Sequence, residues 1–405
     1  MGKNTFNKKT IEDVNVKGKR ILLRCDLNVP IFDGKITDDQ RIKASIPTIN
    51  YLVNHGAKVI ICSHLGKPEK RQNLEPVCKA LSKACKLSIK FLDSDVVVDD
   101  NVRAYVDKMK DGQVAMLQNT RWRDEESKNE DTFSKELASL CDIFVNDAFG
   151  TCHRAHCSNY GVSRFVPVSV GGYLIKAELD KLCNYIENPK RPFVTILGGS
   201  KIADKLKVID KALDRSDIVI VGGGMSYTFL KGFGYEIGKS LLDESKIDYC
   251  MQMVEKAKKL GKKLILPVDC VAADHFPEPL TDTSIKTKVM KSDSIDKNYG
   301  SYDAGPETIK NILCEMENAK TILWNGPVGL FENQKFAVGT YCIAKGMANL
   351  TSKGVVSIVG GGDSASAVNQ FKLADKMTHV STGGGATLEF LKGEPLPGLE
   401  CLSEK

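Results

Sequence analysis

Short aliphatic runs recur along the whole chain, and each of them stops at polar residues or at glycines. In the first half the runs read "RILLRCDLNVP", "KVIICSHLG", "VAMLQNTR" and "DIFVNDAFG". In the second half they read "PFVTILGG", "DIVIVGGGM", "KLILPVDC", "TILWNGP", "VVSIVGGGD" and "HVSTGGGA". Val, Ile and Leu follow one another with little alternation, as they do in strands that are covered on both faces.

The segments between these runs have helical spacing. The segment "DDQRIKASIPTINYLVNHG" starts with acidic residues, places apolar residues at intervals of three to four and ends at a glycine. Alternation of strands and helices predicts parallel sheets. We therefore predict an α/β protein made of two doubly wound, Rossmann-like domains with parallel sheets, joined by a hinge.

A break in the pattern separates the two series of strands. The stretch "YIENPKRPF" (185–193) is polar, contains two prolines and precedes the second series. We place the boundary there, which gives an N-terminal domain over 1–187 and a C-terminal domain over 188–388. A length of 405 residues agrees with two domains, because single domains hold roughly 150 residues.

Composition narrows the class of protein. The longest apolar runs fall short of the ~20 residues that a membrane span requires, so we expect no membrane association. Thirteen cysteines without CxxC spacing indicate reduced thiols. The ends of the sequence show no signal peptide or retention signal. We therefore expect a cytoplasmic enzyme.

The first series of strands ends in a group of polar and cationic residues. In parallel sheets, ligands bind beyond the carboxyl ends of the strands. The group contains several cations and only one carboxylate, and these cations would repel one another unless an anion lay among them. This pattern favours a small molecule that carries phosphate and carboxylate groups. The residues are Asp26, Asn28, Arg41, His64, Lys67, Asn119, Arg121 and Arg154.

The stretch "CHRAHCS" (152–158) raises the alternative of a metal site. Zinc sites commonly take cysteines two to four residues apart. Cys152 and Cys157 are five apart, and Arg154 would add a positive charge beside the ion. The stretch therefore favours an anion over zinc.

The second series of strands ends in glycine clusters. Glycine allows backbone amides to approach a ligand closely. In "GGGDSASAVNQF" the cluster leads into a predicted helix, whose free N–H groups and dipole favour phosphate. Lys201 and Lys205 lie one helical turn apart, within reach of phosphate oxygens. Asp363 is either a helix cap or, beside a polyphosphate, a ligand of Mg²⁺.

Known nucleotide motifs do not match these clusters. A GxxxxGK[ST] loop is absent, and "GGGMSY" fails the GxGxxG spacing. That failure argues against the alternative of a dinucleotide-dependent oxidoreductase. The net charge of +6 leaves a nucleic-acid-binding protein as another alternative. The lack of an aromatic-rich stacking platform and of basic tails argues against it, so we expect no nucleic-acid partner.

Seven motifs together resemble the phosphoglycerate kinase family, in the family's order and along essentially the whole chain. They are "ILLRCDLNVP" (21–30), "SHLGKP" (63–68), "HRAH" (153–156), "GGSKIADK" (198–205), "WNGPVGLFE" (324–332), "GGGDSA" (360–365) and "STGGGA" (381–386). The resemblance implies reversible, Mg²⁺-dependent phosphoryl transfer between 1,3-bisphosphoglycerate and ADP, giving 3-phosphoglycerate and ATP in glycolysis and gluconeogenesis. It also implies a monomer.

The resemblance implies a role for each matching residue. For the acid substrate it implies Asp26, Asn28, Arg41, His64, Lys67, Arg121 and Arg154. For the nucleotide it implies Ser200, Lys201, Lys205, Gly223, Gly224, Gly300, Asn325, Pro327, Glu332, Gly361, Gly362, Asp363 and Ser364. Asp363 would also hold Mg²⁺.

The same resemblance bears on catalysis and on movement of the domains. Arg41, Lys201, Gly384 and Gly385 would stabilise the phosphoryl group in flight. The domains would close around the hinge to bring both substrates together. By the same resemblance, the segment 389–405 would pack back onto the N-terminal domain.

This sequence departs from the family's pattern at a few positions. Lys67 stands where arginine is usual after "HLG", so a point charge replaces a planar fork. Ser200 and Ser364 stand where alanine and threonine are common. The loop "NYGSYDAGP" (298–306) is one residue longer than usual, which puts in doubt the contact of Gly300 with the nucleotide.

Overall fold

A computed structural model describes residues 7–182, 185–186, 188–381 and 383–405. Glu187, at the predicted domain boundary and within the predicted linker, lies outside the described residues, as does Thr382 of the "STGGGA" motif. Contacts divide the chain into two compact units. The first unit comprises Met1–Cys183 and Pro395–Lys405, and the second comprises Asn184–Glu394.

The first unit is built on one six-stranded sheet with the order β5-β6-β4-β1-β7-β8, in which every pairing is parallel. Its strands are β1 Arg20–Cys25, β2 Ile31–Phe32, β3 Lys35–Ile36, β4 Lys58–Cys62, β5 Ile89–Leu92, β6 Val114–Leu117, β7 Ile143–Asp147 and β8 Ser169–Gly171, of which β2 and β3 form a separate hairpin. Its helices are α1 Gln40–Asn54, α2 Glu75–Cys85, α3 Asp100–Asp107, α4 Glu125–Lys128, α5 Asp131–Ser139 and α6 Tyr173–Leu182, with α14 Pro397–Glu400 from the end of the chain.

The second unit repeats this plan with the order β12-β10-β9-β17-β18-β19, again entirely parallel. Its strands are β9 Phe193–Leu197, β10 Ile218–Val221, β11 Glu236–Ile237, β12 Lys263–Ile265, β13 Asp269–Ala273, β14 Lys288–Lys291, β15 Ser294–Ile295, β16 Gly300–Ala304, β17 Thr321–Asn325, β18 Val356–Gly360 and β19 His379–Val380. Its helices are α7 Ile202–Arg215, α8 Ser226–Gly232, α9 Ile247–Lys259, α10 Pro306–Met316, α11 Val338–Thr351, α12 Gly362–Gln370 and α13 Gly385–Lys392.

Burial on both faces explains why the strand residues do not alternate. In β1, Ile21 and Leu23 belong to one apolar core and Leu22 to another on the opposite face of the sheet. Burying an aliphatic side chain stabilises the fold by about 1.5–3 kcal/mol, so every position of such a strand favours a large apolar residue. The predicted pair of doubly wound parallel sheets is confirmed.

A small antiparallel sheet in the second unit was not predicted. The run "KLILPVDC" was interpreted as one strand, but it forms the end strand β12 and, after Pro267, the separate strand β13. Proline lacks the N–H that a continued strand needs. Strand β13 pairs antiparallel with β14 and β16. This sheet matters for function because its residues line the cavity described below.

The end of the chain binds to the first unit. Asn146 donates from Nδ2 to the carbonyl of Gly398 at 2.9 Å, and the N–H of Gly398 donates to the carbonyl of Cys152 at 3.0 Å. Residues 389–394 group instead with the second unit, because α13 packs on α7. The family resemblance had implied that the whole of 389–405 would pack on the N-terminal domain.

Candidate active site

The carboxyl ends of four neighbouring strands, β6, β4, β1 and β7, bring the predicted acid-binding residues together. We call this group the cationic half-site: Asp26, Asn28, Arg41, His64, Arg121 and Arg154. Asp26 and Asn28 follow β1, His64 follows β4, Arg121 follows β6 and Arg154 follows β7. Arg41 enters from the first turn of α1.

Direct contacts hold several of these side chains in place. Arg41 donates from Nη1 to Oδ1 of Asp26 at 2.7 Å, and Asp26 is only 6% exposed. Asn28 accepts the N–H of Gly66 at 2.9 Å, while Arg121 donates to the carbonyl of the same glycine. The loop after β4 is therefore fixed from both sides by residues of the half-site.

The charges of four arginines act on His64, which is almost fully buried. Burial, followed by the charges of Arg24, Arg121, Arg154 and Arg41, holds the pKa of His64 well below its usual value. Burial also lowers the pKa of His156 to about 4, with Arg154 as the largest charge effect. Burial and the charges of Arg154 and Arg24 lower the pKa of Arg121. Because the cations at this site repel one another, the site favours an anion.

Arg24 contacts the cationic half-site, although the sequence analysis did not assign it to a site. It lies within β1, is 1% exposed, and its Nη2 is 3.0 Å from Nδ1 of His64. A guanidinium only donates, so Nδ1 of His64 accepts and the ring proton of the neutral imidazole is on Nε2. His64 thus keeps an N–H donor for a ligand. A charged residue inside an apolar strand run was the available signal.

A relay connects Arg24 to a buried carboxylate. Arg24 donates from Nε to Oγ of Ser158 at 2.8 Å, and Ser158 donates to Oε1 of Glu126 at 2.6 Å. Glu126 is 1% exposed and also accepts from Thr120 at 3.2 Å. A buried charge without such partners would cost several kcal/mol. The relay therefore allows a cation to remain beneath the half-site.

Lys67 and the cysteines of the "CHRAHCS" stretch are the other residues of this region that the sequence analysis considered. Lys67 is exposed and caps the short turn Pro68–Lys70. Cys152 and Cys157 of the "CHRAHCS" stretch are buried, and their thiols contact the carbonyls of Ala148 at 3.5 Å and Glu125 at 3.2 Å. Both cysteines therefore occupy buried positions and contact backbone carbonyls.

The second unit brings together glycine-rich loops at the carboxyl ends of its strands. We call these loops the glycine half-site: 198–201 after β9, 222–225 after β10, 325–327 after β17 and 360–364 after β18. The N–H of Gly199 donates to the carbonyl of Pro327 at 2.8 Å, and the N–H of Met225 donates to the carbonyl of Gly199 at 3.0 Å. The backbones of neighbouring loops in this half-site are therefore hydrogen-bonded directly to each other.

Gly223 shows why these loops need glycine. Its φ is +67°, and a Cβ there would lie 2.7 Å from the nitrogen and 2.8 Å from the oxygen of Gly199. Real Cβ atoms are not found so close to backbone atoms. The glycines of this half-site therefore serve close packing of loops as well as exposure of N–H groups to a ligand.

Two predicted nucleotide contacts have other partners in the structure. Lys205 donates from Nζ to the carbonyls of Gly198 at 2.5 Å and Asn325 at 2.9 Å. Ser364 is fully buried, and its Oγ accepts the N–H of Gly326 at 2.5 Å. Lys201, by contrast, is exposed at the start of α7. Gly384 and Gly385 begin α13, after β19.

A cavity of about 430 Å³ opens at the glycine half-site of the second unit. Its lining includes Ser200, Gly223, Gly224, Pro327 and Asp363 of that half-site, together with Glu332. Leu241, Phe276, Tyr302 and Phe331 also line it. Gly300 is buried, and its neighbours Ser301 and Tyr302 line the cavity. A cavity of this size suits a ligand the size of a nucleotide.

Comparisons with known proteins identify the family. The family model for phosphoglycerate kinase matches residues 11–394. The chain belongs to the phosphoglycerate kinase family. It is 55% identical to the phosphoglycerate kinase of Clostridium tetani and 54% identical to that of Clostridium kluyveri, over 404 residues and at least 99% of each chain.

Solved structures of phosphoglycerate kinases have the same fold. The enzyme from Coxiella burnetii matches with a TM-score of 0.84 at 39% identity, covering 98% of this chain and 99% of that one. The enzyme from Pyrococcus horikoshii matches with a TM-score of 0.82 at 31% identity, covering 97% and 98%. As a phosphoglycerate kinase, the chain transfers a phosphoryl group between 1,3-bisphosphoglycerate and ADP. The predicted function is thus confirmed.

One general property of the chain concerns membranes. Among the helices of the described residues, none combines the length and the apolar character that crossing a lipid bilayer requires.

Proposed function

We propose that the cationic half-site binds 3-phosphoglycerate and 1,3-bisphosphoglycerate, and that the cavity of the second unit binds ADP and ATP. The observation that carries this assignment is the convergence of Arg41, Arg121 and Arg154 at the strand ends beside the buried His64, which Arg24 contacts at 3.0 Å. A ligand with several negative charges would relieve their repulsion.

Individual roles follow from the contacts of each side chain. Arg41, oriented by Asp26, is placed to bind a phosphate or carboxylate oxygen. Arg121 and Arg154 would bind the ligand's other anionic group, and Nε2–H of neutral His64 would donate to it. Asn28 supports the loop that carries Lys67, whose single charge would contact a phosphate from solvent.

The nucleotide's phosphates belong, in our proposal, at the glycine half-site. Ser200, Lys201, Gly223 and Gly224 would bind them at one side, and the helix start Gly361–Ser364 at the other. Ser364 would act through its backbone N–H, because its hydroxyl is already bonded. Lys205, Asn325 and Pro327 would shape this wall through the backbone bonds described above, and Glu332 would face the ribose.

Asp363 is the proposed ligand of Mg²⁺. Its carboxylate is exposed at the start of α12 and lines the cavity. Carboxylate oxygen suits this ion, which usually takes one or two carboxylates together with substrate phosphates. When bound, the ion would neutralise part of the charge of the nucleotide's phosphates.

Catalysis would consist of positioning and electrostatic stabilisation. The phosphoryl group in flight carries charge on its equatorial oxygens. We assign its stabilisation to Arg41, to Lys201 and to the N–H groups of Gly384 and Gly385. The acceptor carboxylate is already ionised near neutral pH and needs no general base. Transfer requires the two bound substrates to meet, for which we propose hinge bending near residues 185–193.

We also propose that the enzyme acts in the cytoplasm as a monomer. The twelve cysteines among the described residues are free thiols, which agrees with a reducing compartment. The monomer is what the resemblance to the family implies.

The test is a coupled assay with MgATP and 3-phosphoglycerate, in which glyceraldehyde-phosphate dehydrogenase consumes the acyl phosphate and NADH. We expect a turnover of roughly tens per second or more, and its loss when EDTA removes Mg²⁺. Calorimetry should show that 3-phosphoglycerate and ADP each bind alone. A folded chain that binds ADP but not 3-phosphoglycerate would refute the assignment of the cationic half-site.

A further inference from the structure

A buried carboxylate lies where two loops of the first unit meet. Glu126, in the short helix α4, is 1% exposed. Its Oε1 accepts from the hydroxyls of Ser158 at 2.6 Å and Thr120 at 3.2 Å, and its Oε2 accepts the N–H of Ser158 at 3.1 Å. Its backbone carbonyl accepts the N–H of Cys157 at 2.9 Å. Glu126 therefore attaches the loop 152–158 to the segment that begins at Thr120.

The attachment at Ser158 extends to Arg154 through the next residue, Asn159. Asn159 is fully buried, and its Nδ2 donates to the carbonyls of Thr151 at 2.7 Å and Arg154 at 2.9 Å. Its Oδ1 accepts the N–H of His156 at 2.9 Å. These bonds join the ends of the loop to its middle. A shift of the backbone at Ser158 would therefore move Arg154 with it.

On its other side, Glu126 is connected to the segments that carry Arg121 and His64. Thr120, whose hydroxyl binds Glu126, directly precedes Arg121 in the chain. The N–H of Thr120 donates to the carbonyl of Ser63 at 3.1 Å, and Ser63 directly precedes His64. One carboxylate thus connects the segments that carry three side chains of the cationic half-site.

The hydrogen bonds at this position can be satisfied by a carboxylate but not by an amide. Two hydroxyls and one N–H converge on Glu126. An ionised carboxylate only accepts, so it can serve all three donors. In one orientation of a glutamine, its NH2 group would face the N–H of Ser158. In the other orientation it would face the two hydroxyls, whose protons would lose their acceptor. Because an unpaired buried donor is unfavourable, the loop would shift away from a glutamine.

The charge of the carboxylate has an effect of opposite sign. Burial, followed by the charges of Arg154 and Arg24, lowers the pKa of Arg121, and the charge of Glu126 opposes this shift. If Glu126 acted only as a counter-charge, its neutralisation would leave the half-site more positive, and an anionic ligand would bind more tightly. Displacement of the loop predicts weaker binding instead. The sign of the change in affinity therefore separates the two roles.

We infer that Glu126 is a positioning residue for the acid substrate, which holds Arg121 and Arg154 at the spacing that the ligand's anionic groups require. This inference rests on the proposed binding of 3-phosphoglycerate in the cationic half-site. Glu126 acts through the loops that it joins and is not placed in contact with the ligand.

The experiment compares Glu126→Gln with the parent, each as the full chain. Calorimetry measures the binding of 3-phosphoglycerate and of ADP with Mg²⁺, each alone, and steady-state kinetics separates KM from kcat. The Kd and the KM for 3-phosphoglycerate should rise by roughly tenfold, because the bonds that place the loop are lost. The kcat at saturating substrate should stay within about threefold. ADP affinity should stay within about twofold, since Glu126 belongs to the first unit.

Glu125→Gln is the matched control, because it removes the same charge one residue away on the same helix. The carboxylate of Glu125 accepts from Nε and Nη2 of Arg123 at 3.1 and 2.9 Å. The proposed function gives Arg123 no role. This variant should therefore bind 3-phosphoglycerate as tightly as the parent. An equal loss of affinity in both variants would overturn the inference, because the effect would not depend on the bonds of Glu126.

The remaining outcomes separate this inference from the proposed function. A parent chain that binds ADP but not 3-phosphoglycerate would refute the proposed function itself. If the parent binds both, an unchanged or tighter binding of 3-phosphoglycerate by Glu126→Gln would overturn the positioning role, as would an equal loss for both ligands.

A second variant keeps the test decisive if circular dichroism shows that Glu126→Gln does not fold. Ser158→Ala removes the hydroxyl that donates to Glu126 and retains the N–H bond to the same carboxylate. The same selective weakening of 3-phosphoglycerate binding is expected. Unchanged binding in this variant would overturn the inference.

Discussion

In our proposal the two half-sites bind anions by opposite means. The cationic half-site would use charged side chains that meet at the edge of one sheet, where Asp26 orients Arg41 and the buried Arg24 orients the neutral ring of His64. The glycine half-site uses backbone N–H groups, and its loops are packed so closely that a single Cβ would collide with backbone. A change of charge should therefore impair the cationic half-site most, and a change of shape should impair the glycine half-site most.

This difference predicts how each half-site fails. Removal of a side chain from the cationic half-site changes electrostatics while the backbone stays in place. Addition of a methyl group to the glycine half-site moves the backbone while the charges stay. The following predictions test this contrast, beginning with the largest expected effect.

Arg41→Ala should reduce turnover by roughly 1000-fold, because the guanidinium would stabilise the charge of the phosphoryl group in flight. ADP affinity should stay within about twofold, since Arg41 belongs to the first unit. Steady-state kinetics and ADP calorimetry measure the two quantities. A variant with normal turnover would remove Arg41 from the catalytic role.

Lys43→Ala is the control for this change. Lys43 lies on the same helix, is exposed and pairs with Asp39 at 2.8 Å. Exposed ion pairs of this kind contribute only about 0–1 kcal/mol. The variant should keep the turnover of the parent, so a loss in both variants would point to damage to helix α1 rather than to loss of a catalytic charge.

Gly223→Ala should weaken ADP binding by roughly 100-fold and destabilise the chain by about 1–3 kcal/mol, because a Cβ meets the backbone of Gly199. Binding of 3-phosphoglycerate should not change. Gly234→Ala is the control: Gly234 has a φ of +82° but open space around its Cβ position. If both variants lose ADP affinity equally, backbone strain rather than close packing explains the loss.

The contrast also explains how much the sequence revealed. The parallel sheets were predicted because strands buried on both faces must be aliphatic throughout. The edge residues of the cationic half-site were found for a related reason: strand ends in a parallel sheet share one edge, so Asp26, His64 and Arg121 converge. Their meeting follows from topology alone.

Other features depended on contacts that a linear pattern does not encode. Arg24 and Glu126 lie 102 positions apart by their numbers and are joined through Ser158. Tyr302 lines the cavity and lies where the pairing of β13 with β16 shifts register. Lys205 was expected to face phosphate, but its ammonium group binds backbone carbonyls. Burial and rotamer choice decide such contacts, and both are set by residues far away in the sequence.

Asp363→Ala should raise the Mg²⁺ concentration needed for half-maximal activity by about tenfold. It removes a charge from the half-site that depends mainly on shape, so turnover at saturating Mg²⁺ should fall much less than in Arg41→Ala. Asp375→Ala, which removes another exposed carboxylate in the short helical turn Ala374–Lys376, should leave the Mg²⁺ requirement unchanged. An unchanged requirement in Asp363→Ala would remove Asp363 as the ligand.

His156→Gln should have the smallest effect, and it measures how strongly the cationic half-site resists a further positive charge. Burial, and then Arg154, lowers the pKa of His156 to about 4, whereas in the unfolded chain it returns to about 6.5. Between these values only the unfolded chain binds the proton, so the free energy of unfolding falls as the pH drops from about 6.5 towards 4. Urea unfolding at several pH values should show a shallower fall for His156→Gln than for the parent. His55→Gln changes an exposed histidine and serves as the control. If the unfolding free energy of His156→Gln depends on pH as steeply as that of the parent, burial and the charge of Arg154 do not act on the His156 ring as the structure indicates.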